Sequence, residues 1–313
     1  MTKILFLSRK RGFGHKKRDD LIAEQLAALD KSLEIVRSGT VSGEKPGLVI
    51  SDERLDVLAE ARAKKIPSVL ITNWFPAKAW RSRAGKPSYK TFNKAGLIIF
   101  TDHPKVAAAP PFIRPPVFFS GPIIDKARAP RGKRKKKKGP RRILVTAGKT
   151  EPVDREFFET AARAFRMMRT KAGMTVLAGG FKGRLSKSAP RGVKIEKYLP
   201  DASARYAEYD LVITRGGHTT LWELAFHGVP SISIPRPFYA NPCNLGYAMN
   251  MEKLGTTKAI PQGFITASSL AYYMDNILSG RTKLRKADPA LFGGDASRKA
   301  ALAILRYFRA GRR

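Results

Sequence analysis

Residues 210–230 have the sequence DLVITRGGHTTLWELAFHGVP, and this stretch carries most of the information about the fold. A run of apolar and β-branched residues ends at Thr214, two glycines follow, and apolar residues at helical spacing begin after Thr219. This order predicts a buried strand, a tight turn and a helix. Such a junction directs backbone N–H groups and the positive end of the helix dipole toward a ligand, which suits a diphosphate.

Several side chains at this junction have the chemistry of a nucleotide site. Gly216 and Gly217 would let the backbone approach an anion closely. The hydroxyl groups of Thr219 and Thr220 could donate hydrogen bonds to it. Glu223 lies about one turn further along, where a carboxylate could accept both hydroxyl groups of a ribose. The glycine turn alone is equally consistent with an ordinary strand–turn–helix connection that has a threonine cap.

Short apolar runs alternate with helical segments on both sides of this junction. The alternation predicts an α/β fold with two Rossmann-like, doubly wound domains, which face each other across a cleft. The predicted strands are residues 4–7, 35–36, 47–52, 67–71, 96–100, 142–145, 174–178, 193–196, 210–214, 230–234 and 257–260. The predicted helices include residues 21–29, 55–64, 155–170, 219–227, 241–253 and 297–309.

A strongly basic stretch at residues 126–142 separates the two halves. We predict an acceptor-binding domain at residues 1–125, a basic linker at 126–142, a nucleotide-sugar-binding domain at 143–290 and a C-terminal helix at 291–313. Residues 110–122 are rich in proline and aromatic residues, which predicts a segment that runs along the surface.

The composition limits the class of protein. The chain has 313 residues and a single cysteine, Cys243, so an internal disulfide framework is excluded. No apolar run reaches the ~20 residues that span a bilayer, and the first residues lack the pattern of a secretory signal. We therefore expect a soluble, cytoplasmic protein.

The charge of the chain is far from balanced. Lys and Arg number 60 and Asp and Glu number 25, which gives a net charge of +35. Residues 126–142 contain eleven of the basic residues and no acidic residue, so 49 basic residues against 25 acidic ones remain elsewhere. An excess spread over the whole chain predicts attraction to a polyanion, either nucleic acid or an anionic membrane surface.

Residues 210–230 resemble the donor-binding half of the GT-B fold glycosyltransferases, and most closely the UDP-N-acetylglucosamine transferases of lipid II synthesis. The matching residues are Asp210, Arg215, Gly217, Glu223, Leu224, Ala225, Gly228 and Pro230. The resemblance implies that residues 216–220, including His218, hold the diphosphate of a UDP-sugar and that Glu223 holds its ribose. It also implies that the backbone of Tyr198 and Leu199 lines the pocket for the base.

Two further donor contacts are predicted around this core. Gly148 follows the first strand of the second half, where it could approach a phosphate. The family has an acidic or amide cluster that binds the sugar hydroxyl groups. The corresponding residues here are Asn241 and Asn244, so the identity of the sugar stays open.

The acceptor side has two candidate bases. His15, preceded by Gly14, follows the first strand, and its ordinary pKa suits a general base near neutrality. Asp52 ends the third predicted strand and is the rival base, although it would also serve as an N-cap of the next helix. Asp19 and Asp20 are expected in the first turn of a helix, as partners of its dipole.

Aromatic and basic residues alternate after the fourth predicted strand. Trp74, Phe75, Trp80 and Arg81 could stack on nucleic-acid bases or lie among lipid headgroups. Alternatively, this segment forms a lid whose aromatic side chains pack inward.

The four histidines and one cysteine have no metal-ligand spacing, and no Asp-x-Asp motif is present. We therefore expect a metal-independent transferase that has no cofactor and that inverts the anomeric centre by single displacement. Its substrate would be the nucleotide-sugar donor. Nothing indicates an obligate protein partner.

Three classes of function fit these features. The charge favours a glycosyltransferase that acts on DNA, for example on a hydroxymethylated base, over one that acts on a lipid at an anionic membrane. A nucleotide-sugar hydrolase with a water molecule activated by His15 is the second class. A DNA-binding protein that responds to a sugar nucleotide without turnover is the third.

Overall fold

The computed structural model describes residues 1–8, 13–41, 46–75, 89–126, 139–148, 154–179, 185, 189–236 and 242–311. The chain forms two compact units. The first comprises Met1–Ile124 together with Ala290–Arg313, and the second comprises Asp125–Pro289. Among the helices described, none has the length and apolar character needed to cross a bilayer.

The first unit contains a parallel sheet of six strands in the order β2-β1-β3-β4-β5-β6. Its strands are β1 (Thr2–Ser8), β2 (Leu33–Arg37), β3 (Leu48–Asp52), β4 (Ser68–Thr72), β5 (Leu97–Phe100) and β6 (Val117–Phe119). Its helices are α1 (Phe13–Leu29), α2 (Leu55–Ala63) and α3 (Tyr89–Phe92), and a C-terminal helix joins them. Every residue of β3, β4 and β5 is buried, as expected for a sheet covered on both faces.

The second unit contains another parallel six-stranded sheet, in the order β12-β11-β10-β7-β8-β9. Its strands are β7 (Arg141–Thr146), β8 (Ala172–Leu177), β9 (Val193–Glu196), β10 (Leu211–Thr214), β11 (Ser231–Ser233) and β12 (Thr257–Ala259). Its helices are α4 (Arg155–Met167), α5 (Ala202–Arg205), α6 (His218–His227), α7 (Pro242–Lys253) and α8 (Ala267–Ser279). Numbered within the unit, the order is 3-2-1-4-5-6, that of dinucleotide-binding folds.

The last helix, α9 (Ala296–Ala310), belongs to the first unit although it follows the second in sequence. Asp295 caps its N-terminus, since the carboxylate accepts hydrogen bonds from the backbone of Ser297 and Arg298. Its apolar stripe packs beside α1 in the core of the first sheet, where Ile304 and Phe308 are buried. The predicted C-terminal segment is therefore an integral part of the acceptor-side unit.

One strand was not predicted. β6 lies within residues 110–122, which the sequence analysis assigns to the surface. It has three residues, is only half-buried and follows Pro115 and Pro116. An edge strand of this kind tolerates adjacent proline and needs no long apolar run, so its sequence carries little strand signal.

In each sheet, the direction in which successive strands are added reverses at one point. This point lies between β1 and β3 in the first unit and between β7 and β10 in the second. At such a switch point the connections leave on opposite faces, so the strand ends border a crevice. The register places Ser8 beside Asp52 and Thr146 beside Thr214. The candidate base and the candidate diphosphate turn therefore lie at the switch points of their units.

Candidate functional site

The first cluster lies at the switch point of the first unit. Helix α1 begins at Phe13, so Gly14 and His15 lie in its first turn. Asp19 and Asp20 are consequently in the second turn, and their expected role as dipole partners is wrong. The helix begins earlier than predicted because Gly14 and the residues that follow it are already helical.

His15 and Asp52 are one hydrogen-bonded pair rather than rival bases. Nδ1 of His15 lies 3.0 Å from Oδ2 of Asp52. Asp52 is fully buried, whereas the side chain of His15 is 20% exposed. The N-cap position of α2 is held by Arg54, so the interpretation of Asp52 as its cap is wrong. Asp52 instead points from the end of β3 toward the imidazole ring.

Arg18 joins this pair from the next turn of α1. Its Nη2 donates to Oδ1 of Asp52 and lies 3.0 Å from Nδ1 of His15, and its Nη1 donates to Oγ1 of Thr101 at 3.1 Å. Burial alone would raise the pKa of Asp52, but the Arg18 charge and the hydrogen bond to His15 lower it to about 2. Asp52 is thus a carboxylate at every physiological pH. It can accept a hydrogen bond from Nδ1 of His15 when that nitrogen carries the proton, which leaves Nε2 as the candidate base.

A second aspartate, Asp19, interacts with Asp52. Asp19 is fully buried, and its burial, followed by the neighbouring charge of Asp52, raises its pKa to about 9. At neutral pH it is therefore an uncharged acid next to an ionised one. Nothing in the sequence distinguishes Asp19 from Asp20, which forms exposed ion pairs with Lys16 and Arg37.

Within the described part of the chain, one group of side chains has the spacing of a metal site. Ligand atoms of His15, Asp52 and Glu53 lie within 4.8 Å of one another. However, the Arg18 guanidinium already occupies the Asp52 carboxylate, and a resident positive charge opposes a second cation there. These residues fit proton transfer better than metal binding.

The second cluster is the glycine turn between β10 and α6. Gly216 has φ +74°, a left-handed conformation that favours glycine. A Cβ atom at this position would collide with Oγ of Ser233 and lie 3.3 Å from the backbone oxygen of Asn244. Gly217 is the N-cap residue of α6, which begins at His218, one residue earlier than predicted. The N-terminus of a ten-residue helix therefore opens at the strand ends, as an anion site requires.

Thr220 and Glu223 lie one turn apart in α6, and Glu223 is buried. The phenol of Tyr206 is buried and interacts with both, through a side-chain hydrogen bond with Thr220 and the charge of Glu223. Burial, and then the charge of Glu223, raise the pKa of Tyr206, so it stays protonated. The sequence did not indicate that Tyr206 contributes here. Thr219 lies between His218 and Thr220 in the first turn of the helix.

Arg215, which matches the family motif, anchors the turn through the contacts of its side chain. Its Nε donates to Asp154 at 2.9 Å, its Nη1 donates to the backbone oxygen of Ile234 at 3.2 Å, and its guanidinium lies over the Phe157 ring. Arg236 donates to the same Asp154. Asp154 is fully buried and therefore needs these two cations. Sequence spacing does not reveal this cluster, because its members are widely separated along the chain.

The other predicted donor residues surround the turn. Gly148, at φ +69°, follows β7, and its backbone N–H donates to Oγ1 of Thr146 at 3.2 Å. Asn244, on α7, donates from Nδ2 to the backbone oxygen of Arg215 at 3.0 Å, so it holds the turn itself. His218 packs edge-on against Tyr247 of α7, with ring centroids 5.1 Å apart. Asn241 lies outside the described residues.

The predicted base pocket lies beyond the edge strand β9. Tyr198 follows that strand and is 61% exposed, whereas Leu199 is buried in a small core with Val212 and Leu224. The buried leucine anchors this segment and leaves the tyrosine at the surface.

The predicted acceptor aromatics pack inward where the structure describes them. The Trp74 ring lies edge-on to Phe92 with centroids 5.1 Å apart, and Phe75 stacks on Phe100 at 4.4 Å. Both are half-buried and pack against the core around Leu58. This arrangement matches the alternative in which the aromatic side chains pack inward. Trp80 and Arg81 lie outside the described residues.

Comparison with known proteins gives a match in sequence that covers part of the chain. Residues 181–303 match the model of the glycosyltransferase family 28 C-terminal domain. The UDP-N-acetylglucosamine--N-acetylmuramyl-(pentapeptide) pyrophosphoryl-undecaprenol N-acetylglucosamine transferase of Solidesulfovibrio magneticus is 32% identical over 111 residues, which are 36% of this chain and 30% of that protein. The chain therefore matches less than a third of the length of this relative.

Solved structures match the chain from end to end. MurG of Acinetobacter baumannii has a TM-score of 0.72 at 15% identity, over 98% of this chain and 100% of that chain. The glycotransferase of kitacinnamycin has a TM-score of 0.66 at 18% identity, over 97% of this chain and 98% of that chain. The GT-B fold and the resemblance to UDP-N-acetylglucosamine transferases are confirmed.

Proposed function

We propose that the protein transfers a sugar from a UDP-type nucleotide-sugar to a hydroxyl group of a lipid-linked, anionic acceptor. The observation that carries this proposal is the glycine turn at the start of α6, with Glu223 buried one turn further on, inside the segment that matches the family 28 domain. The His15–Asp52 pair supplies a base at the switch point of the other unit.

The donor is bound mainly by backbone. The first N–H groups of α6 bind the diphosphate, and Gly216 and Gly217 allow it to approach the backbone closely. Glu223 accepts hydrogen bonds from the ribose. In the reaction the bond between the anomeric carbon and the phosphate oxygen breaks, and the helix dipole stabilises the charge that UDP acquires. This stabilisation needs no metal ion.

The acceptor is activated by side chains. Nε2 of His15 takes the proton of the acceptor hydroxyl while its oxygen forms a bond to the anomeric carbon, and Asp52 stabilises the imidazolium through Nδ1. Asp52 is fully buried and held by Arg18 and His15, so it cannot attack the sugar itself. Direct attack by the acceptor inverts the anomeric configuration.

Two observations favour a lipid-linked acceptor over DNA. The relative from Solidesulfovibrio magneticus is named for a pyrophosphoryl-undecaprenol acceptor. In addition, Trp74 and Phe75 pack into the protein, which removes them as a platform for stacked bases. A net charge of +35 suits both a pyrophosphate group and an anionic bilayer. The same charge keeps a DNA base as the second candidate acceptor.

The test uses the purified chain, UDP-N-acetylglucosamine and two acceptors. One is a short prenyl-pyrophosphoryl-muramyl pentapeptide in anionic vesicles, and the other is DNA with hydroxymethylated pyrimidines. We expect UDP release that depends on the lipid, a lipid product heavier by one sugar, and a rate lowered by about 10²–10⁴ in His15→Ala. Sugar on the DNA would move the assignment to the second candidate. Free sugar released at full rate without acceptor would show a hydrolase, and no turnover with any nucleotide-sugar would refute catalysis.

A further inference from the structure

Glu53, which follows β3, belongs to none of the predicted sites but has an unusual backbone. Its φ is +53°, in the left-handed region that strains residues with a Cβ atom. Among the described residues, only Lys65 and Asp201 share this property without being glycine. A glycine would occupy this position at lower conformational cost.

Neighbouring residues hold this strained turn in place. The backbone N–H of Glu53 donates to the carbonyl of Ile71 on β4 at 3.2 Å. On the other side, Oγ of Ser51 donates to the carbonyl of Arg54 at 2.8 Å, and Arg54 in turn donates to the carbonyl of Gly39 at 3.1 Å. The conformation is therefore fixed by the sheet and the adjacent loop, which is how strained residues persist at functional sites.

The conformation brings the Glu53 carboxylate to the far side of the imidazole ring. Oε2 of Glu53 lies 3.7 Å from Nε2 of His15, while Oδ2 of Asp52 lies 3.0 Å from Nδ1. The side chain of Glu53 is only 5% exposed, so its charge is weakly screened by water. Burial alone would lower the pKa of Arg18, but the charge of Asp52, and then that of Glu53, raise it. The ring of His15 thus lies between two carboxylates.

We propose that Glu53 is a positioning residue that stabilises the imidazolium formed when Nε2 of His15 accepts the acceptor proton. The inference rests on the proposed function. Before transfer, Nε2 presents a lone pair to the carboxylate at 3.7 Å, and no hydrogen bond joins them. After transfer, Nε2 carries the proton and the ring is positively charged, so the interaction becomes an ion pair. An interaction that grows along the reaction lowers the barrier rather than only strengthening binding.

The first test removes the charge and keeps the shape. For Glu53→Gln, we expect kcat to fall by about tenfold or more while KM for the nucleotide-sugar stays within about twofold. The acid-side midpoint of the pH profile of kcat/KM should move to lower pH by about one unit, because the imidazolium loses a neighbouring negative charge. Glu53→Asp retains the charge, and we expect it to recover part of the lost rate.

The second test separates the carboxylate from the strain. Glu53→Gly removes both, so Tm should rise by about 2 °C while kcat falls as in Glu53→Gln. Lys65→Gly is the matched control, since Lys65 has φ +56° in an exposed turn after α2. It should raise Tm by a similar amount and leave kcat unchanged.

The outcomes distinguish the two proposals. If the wild type transfers sugar but Glu53→Gln keeps its kcat and pH profile, the role of Glu53 is refuted and the proposed function stands. If Glu53→Gly has a lower Tm than the wild type, the glutamate serves the fold and the inference is equally wrong. If the wild type itself transfers no sugar, the proposed function fails first.

Discussion

The two switch points have the same position in their sheets but are built from different parts of the chain. In the first unit the chemistry lies in side chains, with the His15–Asp52–Arg18 cluster buried at the ends of β1 and β3. In the second unit it lies in the backbone, where Gly216 and Gly217 open α6 at the end of β10. Under the proposed function, one unit thus offers a base, and the other offers an anion site.

Buried charge also serves the two units differently. In the first unit Arg18 and Asp52 contact the base itself, so their charges act on the reaction. In the second unit the charges of Arg215 and Arg236 meet on Asp154, where they stabilise the structure beneath the turn. Substitutions should therefore affect kcat in the first unit and affinity or stability in the second.

The largest expected effect separates the units by kinetics. His15→Ala should lower kcat by about 10²–10⁴ and leave KM for the nucleotide-sugar within about threefold, because only proton transfer is lost. Steady-state kinetics with varied donor concentration measure both. Lys16→Ala is the control, since Lys16 is the exposed neighbour that pairs with Asp20. A His15→Ala enzyme with normal kcat and a raised donor KM would reverse the assignment of the two units.

The next effect tests the backbone site. Gly216→Ala should destabilise the protein by about 2–4 kcal/mol and abolish measurable UDP binding, because the new Cβ atom meets Ser233 at a positive φ. Denaturant unfolding and calorimetric titration with UDP measure the two quantities. Gly246→Ala, on α7 in open space, should retain both. Wild-type UDP affinity in Gly216→Ala would show that the nucleotide does not depend on this turn.

A smaller effect tests the buried acid of the first unit. Because the pKa of Asp19 is raised to about 9, the folded protein keeps a proton that the unfolded chain releases. The stability linked to this proton is complete below about pH 4 and is lost as pH rises toward about 9. Asp19→Asn should remove this slope, so its stability relative to the wild type should rise by up to about 1.4 kcal/mol per pH unit between about pH 4 and about pH 9. Unfolding curves across this range, with Asp20→Asn as control, would contradict the prediction if both variants followed the wild type.

The smallest effect decides between two roles of Asn244. If its side chain mainly holds the Arg215 carbonyl, Asn244→Ala should weaken UDP itself by up to about tenfold, or about 1 kcal/mol. If it mainly binds the sugar, UDP affinity should stay constant while discrimination between UDP-N-acetylglucosamine and UDP-glucose changes. Titrations with these three ligands separate the outcomes.

Much of the fold follows from local sequence. Apolar runs such as the one ending at Thr214 are long enough to predict strands, and a pair of glycines before a helix predicts a tight turn. The fold of the second unit was therefore predictable, since its strand–turn–helix junction is formed by residues that are adjacent along the chain. β6 escaped prediction because three residues at a sheet edge leave almost no periodic signal.

The acceptor side depends on contacts that sequence spacing does not reveal. His15 and Asp52 are 37 residues apart and meet only because β3 lies beside β1, while β2 lies at the edge. Arg18 resembles any other cation in a basic chain, and the left-handed conformation of Glu53 has no compositional signature. The inward packing of Trp74 likewise depends on Phe92, which is 18 residues further along the chain.

The position of α9 has a consequence for biosynthesis. Its apolar stripe completes a core that also contains Ile4 and Ile22, near the other end of the chain. During translation, the second unit (Asp125–Pro289) is synthesised while the first still lacks its last helix. The first unit is begun first but can complete its core only after the second has been synthesised. Until then its exposed apolar face is a natural target for chaperones.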